Sequence, residues 1–290
     1  MSGGTTTSLQ IYANNSTTER EVRAETLPMT WKNETERAEW LACQETWRPF
    51  PPRRRTSEHV AYTLPWFKQI EERRYARHGH WIPRRFEFNR HQGEQVLGLG
   101  DGLGTDWVRY ALGGANVTFC SPEASAREVV QRHFEVRGLK GKFIRGVYEN
   151  LPFADGSMDV VCLSSAVPAF GSINALSDEI YRVLKPGGKI LAALPALYDA
   201  RYWQDCIFPW NRWFEPRPAQ TETRFTGKEV RRLFQRFTDQ RLKKQHLRRS
   251  DLPHVWRWIL LPILERVMGR YLIFKAFKPV VSAGSTRVAA

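Results

Sequence analysis

The sequence predicts a doubly wound α/β fold across residues 85–279, and three observations carry that expectation. From Gln95 onward, short apolar runs alternate with amphipathic stretches, the rhythm of β-α-β units around a parallel sheet. The first run leads into the glycine-rich stretch VLGLGDGLGTD at 96–106, where a first strand should turn into a first helix. A second turn, KPGG at 185–188, stands ahead of another apolar run.

The parallel strands expected in order are 95–99, 116–120, 142–144, 158–163 and 189–194, with helices between them. After Pro195 the rhythm breaks into an aromatic stretch at 198–214 containing Trp203, Trp210 and Trp213, which reads as part of an insertion at about 197–225. Thr226 then caps a helix running to about Phe237, with Glu229 three residues on as its capping-box partner. A strand at 241–247, a helix at 255–268 perturbed by Pro262, and a strand at 271–277 complete the pattern.

Residues 1–45 are rich in Ser, Thr, Asn and Glu, too polar to offset the entropy of ordering, and read as a flexible tail reaching to about 55. The stretch FPPRRR at 50–55 resists helix and strand alike. A helical extension follows at 56–92, most regular at 58–77, and is expected beside the core or over its ligand cleft. The main domain then spans 93–281, and 282–290 form a short C-terminal tail.

A chain of 290 residues with 42% hydrophobic content suffices for one large core. Cys43, Cys120, Cys162 and Cys206 lie far apart, with no CxxC pair and no Cys/His spacing that suggests zinc, so free thiols are expected. The N-terminal stretch lacks the basic start and apolar core of a secretory signal. No window reaches the roughly 18–20 apolar residues of a membrane span, and a cytoplasmic protein is expected.

Three blocks stand in order: the glycine turn, ENLPFADGSMDVV at 149–161, and EIYRVLKPGGK at 179–189. In order and spacing they resemble the class I S-adenosylmethionine-dependent methyltransferases, in particular the type 11 group that methylates ubiquinone and menaquinone precursors. The resemblance covers 85–194 well and the remainder loosely. It implies a Rossmann-like, seven-stranded sheet with helices on both faces and its last strand antiparallel, and S-adenosyl-L-methionine lying across the strand ends at the topological switch point. The chemistry implied is transfer of a sulfonium methyl to a nucleophile, which needs mostly alignment because the sulfonium is already activated. The cofactor-binding positions implied are Gly100, Asp101, Gly102 and Gly104 in the turn, Ser121 after the second strand, Val147, Tyr148 and Glu149 after the third, and Ser164 after the fourth. No catalytic residue and no metal ligand is assigned.

The chain departs from this family at its acidic anchors. The first-strand acid is Gly98, the acid that holds the ribose is Ser121, the Asp near the adenine is Val147, and a His-His pair after the fourth strand is replaced by Pro168 and Ala169. A hydrogen bond involving a charged group contributes about 1.5–3 kcal/mol, so these losses bear directly on affinity. Asp101, Asp106 and Glu123 lie close enough in sequence to substitute, and Tyr148 could stack on adenine. Asp106 and Glu123 are equally the acids that helix first turns favour.

A net charge of +14 with 11 tryptophans suits an anionic membrane surface or nucleic acid. The arginines are dispersed and no nucleic-acid motif accompanies them, which ranks nucleic acid behind the other partners. Arg248, Arg249, Arg257, Arg266 and Arg270 surround Trp256 and Trp258, a basic, Trp-rich composition suited to a membrane surface or a protein complex, and equally to a helix packed on the sheet edge. Two functions stay open on sequence: methyl transfer to a small or lipid-like acceptor, and a pseudo-methyltransferase retained as a scaffold.

Overall fold

The computed structural model describes residues 33–48, 50–100, 102–163, 173–207, 223–248, 252 and 261–280. Its strands are β1 (Gln95–Leu99), β2 (Asn116–Ser121), β3 (Lys142–Arg145), β4 (Met158–Leu163), β5 (Leu184–Pro195), β6 (Thr238–Gln245) and β7 (Tyr271–Phe277). They form one seven-stranded sheet in the order β3-β2-β1-β4-β5-β7-β6. Strands β1 to β5 are parallel, and β7 runs antiparallel to both β5 and β6. The chain winds outward from β1 to β3, then returns to place β4 on the other side of β1, so the switch point falls between β1 and β4.

The helices are α1 (Glu34–Glu45), α2 (Leu64–Arg73), α3 (Ile82–Phe86), α4 (Thr105–Leu112), α5 (Ala124–Glu135), α6 (Ile173–Val183), α7 (Ala200–Ile207), α8 (Gly227–Leu233) and α9 (Leu261–Met268). Alternation along the strands sorts the core into two layers. Leu97, Leu99, Val161 and Ile190 face Leu176 and Ile180 of α6 and Val230 of α8. Val96, Val160, Cys162 and Leu191 face the opposite layer, with Ile82 and Phe86 of α3, Trp107 and Tyr110 of α4, and Phe134 of α5.

Several elements differ from the sequence expectation. The stretch expected to be a flexible tail contains α1, where Asn33 accepts a hydrogen bond from the Glu36 amide and so caps the first turn. Ala38, Leu41 and Ala42 form its apolar stripe and pack with Trp66, Phe67 and Ile70 of α2 against Leu103 and Val129. The helix expected at 58–77 begins only at Leu64, with Pro65 in its first turn, and continues as a π-helical turn over Arg74–His78. β5 reaches back to Leu184, which pairs with Met158 before the register shifts and Gly187 turns at φ 79°. β6 starts and ends earlier than expected, because its pairing with β7 runs from Thr238 to Gln245 and His246 then leaves at φ 70°. The capping box at Thr226 and Glu229 is formed, but its helix stops at Leu233.

The aromatic stretch leaves the sheet where Ala196 bridges to Phe225, and its described part is α7. The remainder of that stretch, and most of the Arg- and Trp-rich segment 249–260, lie outside the described residues. The four cysteines are free thiols, and three of them are buried. No described helix is long and apolar enough to cross a membrane.

Candidate functional site

The glycine turn joins β1 to α4 at the end of the sheet where the parallel strands finish. Gly100 and Gly102 sit at φ 128° and 125°, and Gly104 at 71°, backbone states that side chains with a Cβ resist. The register pairs Leu99 with Cys120, which sets Gly100 beside Ser121 at the end of β2. A turn with bare backbone at the N-terminus of a helix lets a ligand approach the main chain and its amide donors.

Side chains from two other elements clamp this turn at Leu103. Arg137 donates to Nε2 of His133 at 3.2 Å, so the proton lies on Nδ1, which donates to the Leu103 carbonyl at 2.8 Å. Burial depresses the His133 pKa to about 3, and the ring stacks on Phe67 with centroids 3.9 Å apart. From the opposite side, the Glu45 carboxyl at the end of α1 takes hydrogen bonds from the Leu103 backbone and from Thr105.

Glu45 belongs to a buried ionic network. Arg74 donates to both carboxylate oxygens of Asp106, at 3.2 and 2.6 Å, and lies 3.5 Å from the Glu45 carboxylate. The Tyr75 hydroxyl donates to Asp106 at 2.7 Å. Burial raises the Glu45 pKa, with Arg74 opposing it. Burial works against the Arg74 charge, but Asp106 and then Glu45 more than restore it. Asp106 is therefore committed to fastening the helical extension to α4, and its first-turn position has a structural use.

Gly98 has a steric explanation. A Cβ at this position would stand 2.8–3.0 Å from the ring of Trp107, which is buried and reaches back from α4 onto β1. The indole fills the space into which a side chain at this position would project, so an acid at Gly98 is sterically incompatible with Trp107 as placed.

Ser121 is fully buried, and its hydroxyl accepts the Glu123 amide at 3.2 Å. Arg127 donates to the Ser121 carbonyl at 2.7 Å and to Pro122 at 3.0 Å, which fixes the end of β2. Glu123 is exposed beside it. Beyond β3, Val147 and Asn150 close a tight turn in which Val147 is 57% exposed while the Tyr148 ring is buried in the core. Tyr148 is thus a core residue first, and Glu149 is half-buried at the turn. The structure brings Gly100, Gly102, Gly104 and Ser121 together at the strand ends. Asp101, Ser164, Pro168 and Ala169 lie outside the described residues.

Sequence reasoning missed Glu45, Trp107, Arg127 and His133. Only His133 carried a usable signal, since Arg137 follows it by one helical turn. The other diagnostic motif residues form framework contacts. Arg182 donates to the carbonyls of Phe153 and Leu151 at 2.7 and 2.9 Å and pairs with Asp155 and Glu179, each at 2.7 Å. Lys185 pairs with Asp159 at 2.7 Å, and Asp159 also accepts the Gln95 amide at 2.9 Å.

Residues 96–192 match the family described as "Methyltransferase domain". Among curated relatives, the chain is 34% identical to sterol 24-C-methyltransferase of Pneumocystis carinii over 39% of this chain and 30% of that protein. It is 35% identical to demethylmenaquinone methyltransferase of Paenarthrobacter aurescens over 35% of this chain and 38% of that protein. The match therefore spans well under half the length of these relatives. Among solved structures, geranyl diphosphate C-methyltransferase of Streptomyces coelicolor, in complex with Mg2+, geranyl-S-thiolodiphosphate and S-adenosyl-L-homocysteine, superposes with a TM-score of 0.52 at 15% identity, covering 76% of this chain and 82% of that one. A chain from the complex of the Haloferax volcanii Trm112 methyltransferase activator with a methyltransferase gives 0.51 at 19% identity, covering 69% and 90%. These structural likenesses show the shared fold.

Proposed function

We infer, from the match of residues 96–192 to the methyltransferase domain family, that the protein is an S-adenosyl-L-methionine-dependent methyltransferase acting on a small or lipid-like acceptor. The observation that carries this reading is the bare glycine backbone of Gly100, Gly102 and Gly104, at the switch-point end of the sheet and beside Ser121. Gly100, Gly102 and Gly104 carry no Cβ and hold positive φ, which fits a cofactor lying against the main chain at these positions. Gly100, Asp101, Gly102 and Gly104 would hold its amino-acid end, Ser121 and Glu123 its ribose, and Val147, Tyr148, Glu149 and Ser164 the side of its adenine.

The cofactor supplies an activated methyl group, and the chain supplies position. Gly98 offers no acid, and the helical extension brings the Glu45 carboxyl to Leu103 in the turn. The hydrogen bonds of His133 and Glu45 at Leu103 tie the C-terminal part of the turn to α5 and α1, which suits a chemistry that depends on alignment.

The relatives named for sterol, demethylmenaquinone and phthiotriol or phenolphthiotriol substrates support an apolar acceptor. We place the protein in the cytoplasm and at the membrane surface, where such acceptors reside, on the strength of its net charge of +14. The scaffold alternative rests on the replaced anchors alone, and no relative named here supports it.

The test is transfer of radiolabelled methyl from S-adenosyl-L-methionine to a lipid extract of cognate cells by the full chain. Label in the organic phase above a heat-inactivated control is expected. Label in neither the organic nor the aqueous small-molecule fraction would sink this reading.

A further inference from the structure

β5 ends at Pro195 and passes directly into α7, so α7 lies at the same end of the sheet as the glycine turn. Helix α9 packs beside α7, with Ala200, Trp203, Leu264 and Met268 meeting in one small cluster. Lys244 ties the approach to α7 to the last turn of α9 by donating to the carbonyls of Tyr198 and Val267 at 2.7 and 2.6 Å. The two helices thus present a shared outer surface. On it Tyr198 is 40% exposed, Tyr202 38%, Ile207 41%, Ile263 57% and Val267 47%, with the Tyr198 and Tyr202 rings 4.8 Å apart. Ile263 and Val267 stand one turn apart on α9, and the paired Tyr198 and Tyr202 stand just before the start of α7 and in its first turn, so the two helices carry several large apolar side chains toward solvent.

Its charge identifies the occupant. Arg201 and Arg266 are exposed on these same helices, and Lys228 and Arg231 border a neighbouring groove of about 510 Å³ that opens beside Tyr198. Glu265 accepts the His246 amide at 2.8 Å, Asp199 pairs with Arg224 at 3.1 Å and Glu229 closes the capping box; Asp205 also lies on α7, and the cations Arg201, Arg266, Lys228 and Arg231 outnumber it. Apolar and tyrosyl side chains inside a basic border match a bilayer with anionic headgroups, which accepts the rings and aliphatic chains at the interface and pairs with the cations.

We propose that the outer face of α7 and α9 seats on an anionic lipid bilayer and that the methyl acceptor is a lipid taken from that bilayer. The second half of this inference rests on the methyltransferase reading; the first half does not.

The experiment is co-sedimentation of the full chain with vesicles of phosphatidylcholine alone and of phosphatidylcholine mixed with phosphatidylglycerol, alongside titration with S-adenosyl-L-homocysteine. The chain should sediment with the mixed vesicles only. The double variant Ile263→Glu, Val267→Glu should keep its melting temperature and lose about tenfold or more in vesicle partitioning. The variant Arg201→Glu, Arg266→Glu should lose a comparable factor, about tenfold, more at low salt than at high. No sedimentation with the mixed vesicles, or equal sedimentation by folded variants, would overturn the surface. Vesicle binding without S-adenosyl-L-homocysteine binding would uphold the surface and sink the methyltransferase reading. The reverse would sink the surface alone.

Discussion

Two parts of the domain compare very differently with the methyltransferase pattern that the sequence resembles. The blocks at 149–161 and 179–189 keep it, and the glycine turn with the end of β2 keeps its backbone but not its acids. The structure gives the reason for the contrast. The kept residues are framework: Arg182 ties two carbonyls and two carboxylates together, and Lys185 and Asp159 lock β4 to the start of β1. Gly98, Ser121 and Val147 stand where the resemblance implies acidic contacts to a ligand. A motif can therefore identify a fold through its framework while saying little about its site.

The largest effect expected from testing this contrast is at Gly98. Restoring the acid with Gly98→Asp drives a charged side chain into the Trp107 ring and should cost about 4 kcal/mol in denaturant unfolding. Combining it with Trp107→Ala should reduce that penalty by about 2 kcal/mol or more, and strict additivity of the two changes would refute the coupling. Arg182→Ala comes next, at about 3 kcal/mol of stability with unchanged S-adenosyl-L-homocysteine affinity. A selective loss of affinity in a stable Arg182 variant would move this residue from framework to site.

His133 gives a pH signature. Its folded-state pKa lies below the ordinary value of 6.5, at about 3, so the unfolded chain binds the extra proton throughout that window. Stability is fully present above pH 6.5 and should fall by about 1.4 kcal/mol per pH unit on acidification toward 3. His133→Gln, which can still donate to Leu103, should remove that component of the slope; an unchanged pH profile would contradict the neutral, buried imidazole. The smallest effect is a gain: Ser121→Asp should raise S-adenosyl-L-homocysteine affinity about tenfold by returning a charged acceptor beside the turn.

The fold was legible because it is written in local pattern. Continuous apolar runs gave β1 and β4, and the Thr226–Glu229 spacing gave the capping box. Helix α1 was hidden because its apolar stripe is only Ala38, Leu41 and Ala42, and its partners, Leu103 and Val129, lie far along the chain. The site was legible only as backbone. Glycines announce a turn, but nothing local announces that Glu45 and His133 will meet at Leu103, or that Trp107 will lie on Gly98. Such contacts exist only once distant elements pack, and a single polar or aromatic residue leaves no periodic trace of them.

The proposal with most at stake is that the glycine turn binds the cofactor although Gly98, packed under Trp107, offers no acid. Calorimetric titration of the full chain with S-adenosyl-L-homocysteine tests it most directly, with Gly102→Arg as the control because that turn holds φ 125°. The account predicts saturable binding of micromolar order that Gly102→Arg abolishes while the sheet still melts cooperatively. No heat up to millimolar ligand, or heat unchanged in the variant, would contradict it.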